Sequence, residues 1–236
     1  MLLTRRLLAE FVGTAFLLIA VVGSGIAAES LSPGDTGLQL LENAIATGAA
    51  LVAIILAVGH VSGAHLNPVV TLVDRAFGGL TTREACGYCG AQVAGAIAGT
   101  GIANLMYELP VFELSDHTRD GSGVWLGEVV ATIGLLLVVF GIARAGRSAA
   151  APFAVGLYIT GAYFFTSSTS FANPAVTVAR SLTDTFAGIA PSSVPAFVVA
   201  QLIGGVLALL IVRVLYPTVA ATAADVVVPH SQEVPS

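Results

Sequence analysis

The sequence predicts an all-α membrane protein: six membrane-spanning helices and two re-entrant half-helices, arranged as an inverted repeat. Three observations carry this prediction. The composition is that of a membrane chain. Six apolar stretches are long enough to cross a bilayer. Two similar Asn-Pro segments, each too short to cross, recur at corresponding places in the two halves.

The chain has 236 residues, of which 56% are hydrophobic and 10% charged, with a mean hydropathy of +0.91. Soluble domains carry charge on about a quarter of their residues, so the bilayer is the expected surroundings. All nine basic residues are arginine, the net charge is -5, and the arginines form no stripe. Nucleic acid is therefore not an expected partner. Cys86 and Cys89 form one Cys-x-x-Cys, which is no disulfide framework. They are expected to be small packing residues. No Gly-x-x-x-x-Gly-Lys is present, so nothing points to ATP drive. No cofactor and no metal is expected, and no nucleophile, base and orienter come together in sequence to suggest an enzyme.

A spanning helix needs about 20 mostly apolar residues. The qualifying stretches are 7–27, 40–60, 83–107, 124–143, 150–166 and 194–216. The first follows Arg5-Arg6 and resembles a signal peptide. It reads better as a retained helix, because it is long enough to span and has an internal counterpart. Segments 67–77 and 173–186 are the half-spans. Arg5, Arg6, Arg75, Arg83, Arg144, Arg147 and Arg213 fall on one side, which the positive-inside rule makes cytoplasmic. Both termini are then cytoplasmic. Residues 1–217 form one channel domain, and 218–236 are expected to be a disordered cytoplasmic tail.

The repeat has three anchors in the same order. Glu10-x-x-x-Thr14 matches Glu128-x-x-x-Thr132. Asn67-Pro68-Val69-Val70-Thr71 matches Asn173-Pro174-Ala175-Val176-Thr177. Gln92-x-x-Gly95 matches Gln201-x-x-Gly204. The units run over about 7–107 and 124–216. Three spans per unit is odd, so the second copy enters the membrane upside down. Inverted repeats place interrupted helices at the midplane, where they line a pathway.

Irregular backbone at membrane depth must be buried in protein or line water. Both Asn-Pro loops are therefore expected to fold inward. Asparagine caps a helix and proline at its first position loses no hydrogen bond. Each half-helix then aims a positive N-terminal end at the membrane centre, with Asn67 and Asn173 offering amide donors. The carbonyls of 63–66 and 170–172 are expected to serve as acceptors along the file. Intramembrane acids mark function by default. Glu10 and Glu128 read as braces for the loops, with Gln92 and Gln201 beside them. His60 and His65 read as hydrogen-bonding residues of the first loop. Gly13, Gly95, Gly99, Gly204 and Gly205 fit close helix packing.

The run from Ser62 to Thr71, together with Asn173-Pro174-Ala175 and the paired Glu10 and Glu128, resembles the aquaporin (major intrinsic protein) family. The likeness covers about 7–216. It implies an hourglass channel, assembled as a homotetramer in the inner (plasma) membrane, for water, glycerol and other small uncharged solutes. Two departures bear on substrate. The first motif carries Val69 where the family has alanine, read as a tolerated variant. The family's constriction arginine falls on Val176. The remaining constriction positions carry over to Thr47, Ser170 and either Gly161 or Tyr163. Thr, Ser, Val and Gly would make a wide constriction without arginine, whereas Tyr163 would narrow it. Arg180, four residues past Val176, is a candidate substitute, although a headgroup or interhelix role is preferred for it. Asp74 matches Arg180 across the repeat, which suggests opposite charges at the two mouths.

A valine in place of the arginine resembles a bacterial subgroup linked to arsenic handling. Arsenite at neutral pH is uncharged As(OH)3, similar in shape to glycerol. The expected function is thus passive passage of glycerol-like solutes and arsenite or methylated arsenicals, and of water. The alternatives are an ordinary water channel and a poorly conducting structural protein of the same fold.

Overall fold

The computed structural model describes residues 2–217; the expected tail at 218–236 lies outside them. The helices are α1 (Leu3–Leu31), α2 (Thr36–Ser62), α3 (Pro68–Phe77), α4 (Thr82–Met106), α5 (Ser122–Arg144), α6 (Ala151–Phe165), α7 (Pro174–Arg180) and α8 (Val194–Leu215). A single 3-10 turn, Ser148–Ala150, leads into α6. α1, α2, α5, α8 and the segment Ser148–Phe165 are long and apolar enough to cross a membrane. α4 matches them in length but is rich in Gly and Ala. Its small side chains let it pack inside the protein. A Cβ on Gly95 or Gly99 would stand 2.2 Å from the carbonyl oxygen of Phe11 or Ala15 in α1, so the two backbones touch there.

Local sequence explains the helix ends. Asp35 caps α2 through Leu38 N at 3.0 Å. Gly63 ends α2 at φ 86°, in the left-handed region that glycine adopts without strain. α4 opens on a capping box in which Thr81 and Glu84 satisfy each other's backbone N–H groups. α1 starts before the expected residue 7 because Arg6 turns inward. Its Nε donates to Tyr88 Oη at 2.7 Å and its Nη1 to Glu84 at 2.8 Å.

The second half-span is shorter than expected. Helix α7 stops at Arg180, where Ser181 N and Leu182 N close tight turns onto Val178 O and Ala179 O. The polar run Thr183-Asp184-Thr185 is non-helical and makes hydrogen bonds to distant segments. Thr183 Oγ1 donates to Asn104 at 2.8 Å, and Asp184 accepts from Asp116 N at 3.0 Å.

The two halves pack alike. α1 packs on α2 and α4, and α5 packs on α6 and α8. α2 meets α6 across the middle, and the two half-helices touch each other there. The core runs along this seam, from Leu17, Val21 and Ile55 through Val70 and Leu135 to Val155 and Ile159.

Candidate functional site

Each half-helix is preceded by a loop held in unusual backbone geometry. Ala64 and Leu66 have φ of 48° and 50°; their repeat counterparts Ser170 and Ala172 have 52° and 48°. Left-handed residues other than glycine cost roughly 1–3 kcal/mol each and persist only where surroundings enforce them. Here a buried carboxylate does so in each half. Glu10 accepts from His65 N at 3.0 Å and Ser62 Oγ at 2.6 Å on one oxygen, and from Leu66 N at 2.7 Å on the other. Glu128 accepts from Phe171 N and Ala172 N, each at 2.8 Å.

The paired glutamines extend the brace. Gln92 Nε2 donates to Glu10 at 2.7 Å and to Thr71 Oγ1 at 3.0 Å. Gln201 Nε2 donates to Glu128 at 2.5 Å and to Thr177 Oγ1 at 2.8 Å. The threonine hydroxyls pass the bond on to Asn67 O at 3.1 Å and Asn173 O at 2.9 Å. Thr71 and Thr177 were visible in the repeat, but spacing alone gave them no role.

The asparagines meet at the seam. Asn67 Oδ1 caps α3 through Val69 N at 2.9 Å, and Asn173 Oδ1 caps α7 through Ala175 N at 3.0 Å. Pro68 and Pro174 take the first helical positions. Asn67 Nδ2 donates to Ala172 O at 2.7 Å, and Asn173 Nδ2 to Leu66 O at 2.8 Å. Each amide carries two hydrogens, so one ties the loops together and one is left for the lumen. Leu66 O and Ala172 O, expected to face a solute file, are already engaged by these amides.

Asn67 and Asn173 line an internal cavity of about 60 Å³. Leu51, Ile55, Leu135, Val139 and Val155 are among the apolar residues of its wall. Val69 does not line it. Val69 packs toward α8, where a Cβ on Gly205 would lie 2.8 Å from Val69 Cγ1. The glycine makes room for the two extra methyls, away from the asparagines.

At the outer end the lining includes Thr47, Tyr163, Ser170 and Val176. Thr47 Oγ1 and Tyr163 Oη stand 3.2 Å apart. Gly161 is exposed on the opposite side of α6, because two residues of helix separate it from Tyr163 by roughly half a turn. The neck therefore holds a tyrosyl ring rather than the gap a glycine would leave. Ser170 Oγ has no hydrogen-bond partner among the described residues.

Arg180 departs from its preferred headgroup or interhelix reading. It is buried, and it lines both the lumen and a larger outer chamber of about 410 Å³. Its guanidinium carbon lies 3.5 Å from the centre of the Phe171 ring, and its Nε donates to Ala187 O. Arg180 therefore brings a guanidinium to the junction of lumen and outer chamber, one helical turn beyond Val176. Arg119 lies on the same ring at 5.2 Å and donates to Gly188 O at 2.8 Å. Burial lowers the Arg119 pKa from its ordinary value.

Asp74 is buried and lines neither cavity, with His65 Nε2 3.8 Å away. His65 lines the lumen and meets Thr71 Oγ1 through Nδ1 at 3.1 Å. His60 is exposed and takes no part in the loop's hydrogen bonds. Cys86 is exposed and Cys89 half-buried, both unpaired. Among the described residues no cluster of His, Cys, Asp and Glu is suited to a metal.

Comparison with known proteins agrees with this architecture. The profile of the major intrinsic protein family matches residues 1–171 and 150–234. The chain is 53% identical over 211 residues to the aquaglyceroporin AqpS of Rhizobium meliloti (strain 1021), covering 89% of this chain and 90% of that protein. It is 34% identical over 230 residues to aquaporin Z of Rhodopseudomonas palustris, covering 91% and 94%. The X-ray structure of the aquaglyceroporin from Plasmodium falciparum superposes with a TM-score of 0.69 over 93% of this chain and 100% of that one. Its identity is 22%, so that likeness concerns the fold. With two braced half-helices meeting at paired asparagines and a family profile over both halves, the chain belongs to the major intrinsic protein family: it is a multi-pass membrane channel, not an enzyme.

Proposed function

We propose that this chain is a passive channel for small uncharged solutes: glycerol-like polyols, undissociated arsenite or methylated arsenicals, and water. The observation that carries the reading is the crossed asparagine pair in an otherwise apolar lumen. Each asparagine keeps one N–H for a passing oxygen. The N-terminal ends of α3 and α7 converge beside it and set a positive potential. A neutral hydroxyl-bearing molecule accepts those bonds and loses little on desolvation. A cation loses its hydration shell and meets that potential. Water at the pair must accept from both amides, which breaks a proton wire.

Val176 and Ser170 at the neck support passage of solutes larger than water, because neither side chain is bulky. The relative named an aquaglyceroporin, at 53% identity, supports the same reading. Trivalent arsenic enters as a candidate because As(OH)3 is neutral and carries three hydroxyls, as glycerol does. The Thr47–Tyr163 contact favours a second reading, an ordinary water channel, since the ring narrows the neck. Residues 1–217 act as one channel unit made of two inverted halves. It sits in the inner (plasma) membrane with both termini cytoplasmic and assembles as a homotetramer.

A flux panel on reconstituted vesicles tests this, with water, glycerol, urea, arsenite and methylarsenicals as solutes. Flux of glycerol and arsenite above empty vesicles is expected. Water flux alone would select the narrower reading. No flux of any solute would leave a non-conducting protein of the same fold.

A further inference from the structure

We infer that Arg180 is a charge-selecting residue of this channel, a barrier to cations in addition to the potential at the asparagine pair, placed one helical turn outward of the size-selecting ring, so that charge and size are filtered at separate levels. The inference rests on the neutral-solute reading above.

The geometry begins with what holds the side chain. Glu128 fixes Phe171 through its backbone N–H at 2.8 Å. The Phe171 ring is buttressed edge-on by Phe197, with centroids 5.1 Å apart. Arg180 lies on the Phe171 ring at 3.5 Å and donates Nε to Ala187 O. A planar guanidinium stacked on an aromatic face and tied by Nε is pre-organised rather than swinging. Among the described residues its two Nη groups have no acceptor, and they are not sealed from open space. Those donors therefore face the path where lumen and outer chamber join.

The charges around it leave a net positive field. The outer chamber is lined by Arg119 and Arg180, against one carboxylate, Glu29. Glu29 is itself engaged, accepting from Phe186 N at 2.9 Å. His117 lines the chamber too and stands 3.7 Å from Asp184. A cation approaching from the outer side meets this field before it reaches Val176.

The repeat makes the assignment directional. His65 and Asp74 occupy the positions that Phe171 and Arg180 occupy in the other half. In both halves the two residues lie together: His65 Nε2 is 3.8 Å from Asp74, and Arg180 stacks on Phe171. The inner pair, however, keeps its acid out of both cavities, whereas the outer pair presents its cation to both. Only the outer neck carries a fixed charge on the path from this pair.

Urea and guanidinium make a matched test, since they share size and planarity and differ in charge. In reconstituted vesicles of the full chain, wild type is expected to pass urea and exclude guanidinium. Arg180→Gln should raise the guanidinium-to-urea permeability ratio by roughly tenfold or more, the effect of one unit charge close to a path in protein-like dielectric. Val176→Ala should raise the ratio of a larger polyol to glycerol and leave the guanidinium-to-urea ratio as in wild type. If Arg180→Gln fails to assemble, Phe171→Leu reads the same point, because it releases the stacked guanidinium. It too should raise the ratio. An unchanged ratio in the assembled variant would overturn the inference, as would Val176→Ala admitting guanidinium as freely. Absence of urea flux in wild type would instead count against the neutral-solute reading itself.

Discussion

Replacing Glu128 by glutamine removes one acceptor and adds a donor at the most constrained point of the second loop. The carboxylate accepts from Phe171 N on one oxygen, and from Ala172 N with Gln201 Nε2 on the other. An amide keeps one oxygen and turns an N–H toward whichever donors remain. One or two buried N–H groups are then left unpaired, at roughly 1–3 kcal/mol each. The left-handed residue Ala172 loses part of the contact that enforces it. The expected loss is about 1–6 kcal/mol, a fall in midpoint of roughly 2–24 °C for a chain of this size. The assay is thermal unfolding in detergent followed by helical circular dichroism, paired with glycerol efflux from vesicles. Glycerol flux should fall by an order of magnitude or more, because Asn173 and Ala172 O are both held by this loop. A midpoint within about 2 °C of wild type, together with undiminished flux, would refute the bracing role.

Two further outcomes follow from the neck and the seam. Val176→Arg would set a second guanidinium one turn from Arg180, filling the neck and repelling its neighbour; parallel stopped-flow traces should show glycerol flux falling several-fold more than water flux, and equal loss would count against Val176 as a size determinant. Gly205→Ala would bring a methyl to 2.8 Å from Val69 Cγ1, costing about 1–3 kcal/mol by overpacking; adding Val69→Ala should restore most of that in the same thermal assay, and a purely additive double variant would disprove the contact.

The braces were legible because they are matched pairs. Glu10 with Glu128, and Gln92 with Gln201, recur in order on separate apolar stretches, and an intramembrane acid is too costly to be idle. Their partners were less visible: Thr71 and Thr177 look like ordinary helix threonines until the glutamine amides reach them. His60 misled for the opposite reason. It lies close to the loop in sequence, yet its helix turns it outward.

The sequence by itself determined the membrane class, the inverted repeat and the meeting of two Asn-Pro helix starts. These properties are carried by composition, hydrophobic length and the order of residues along the chain. The tertiary structure decided what faces the path. Tyr163 rather than Gly161 enters the neck because α6 has a definite rotation against α2. Val69 turns away because α8 offers Gly205 as a notch. Arg180 reaches the lumen boundary because Phe171 and Ala187, held by other segments, fix its side chain there. Helix rotation and long side-chain reach depend on neighbours from distant parts of the chain, and local spacing does not encode them.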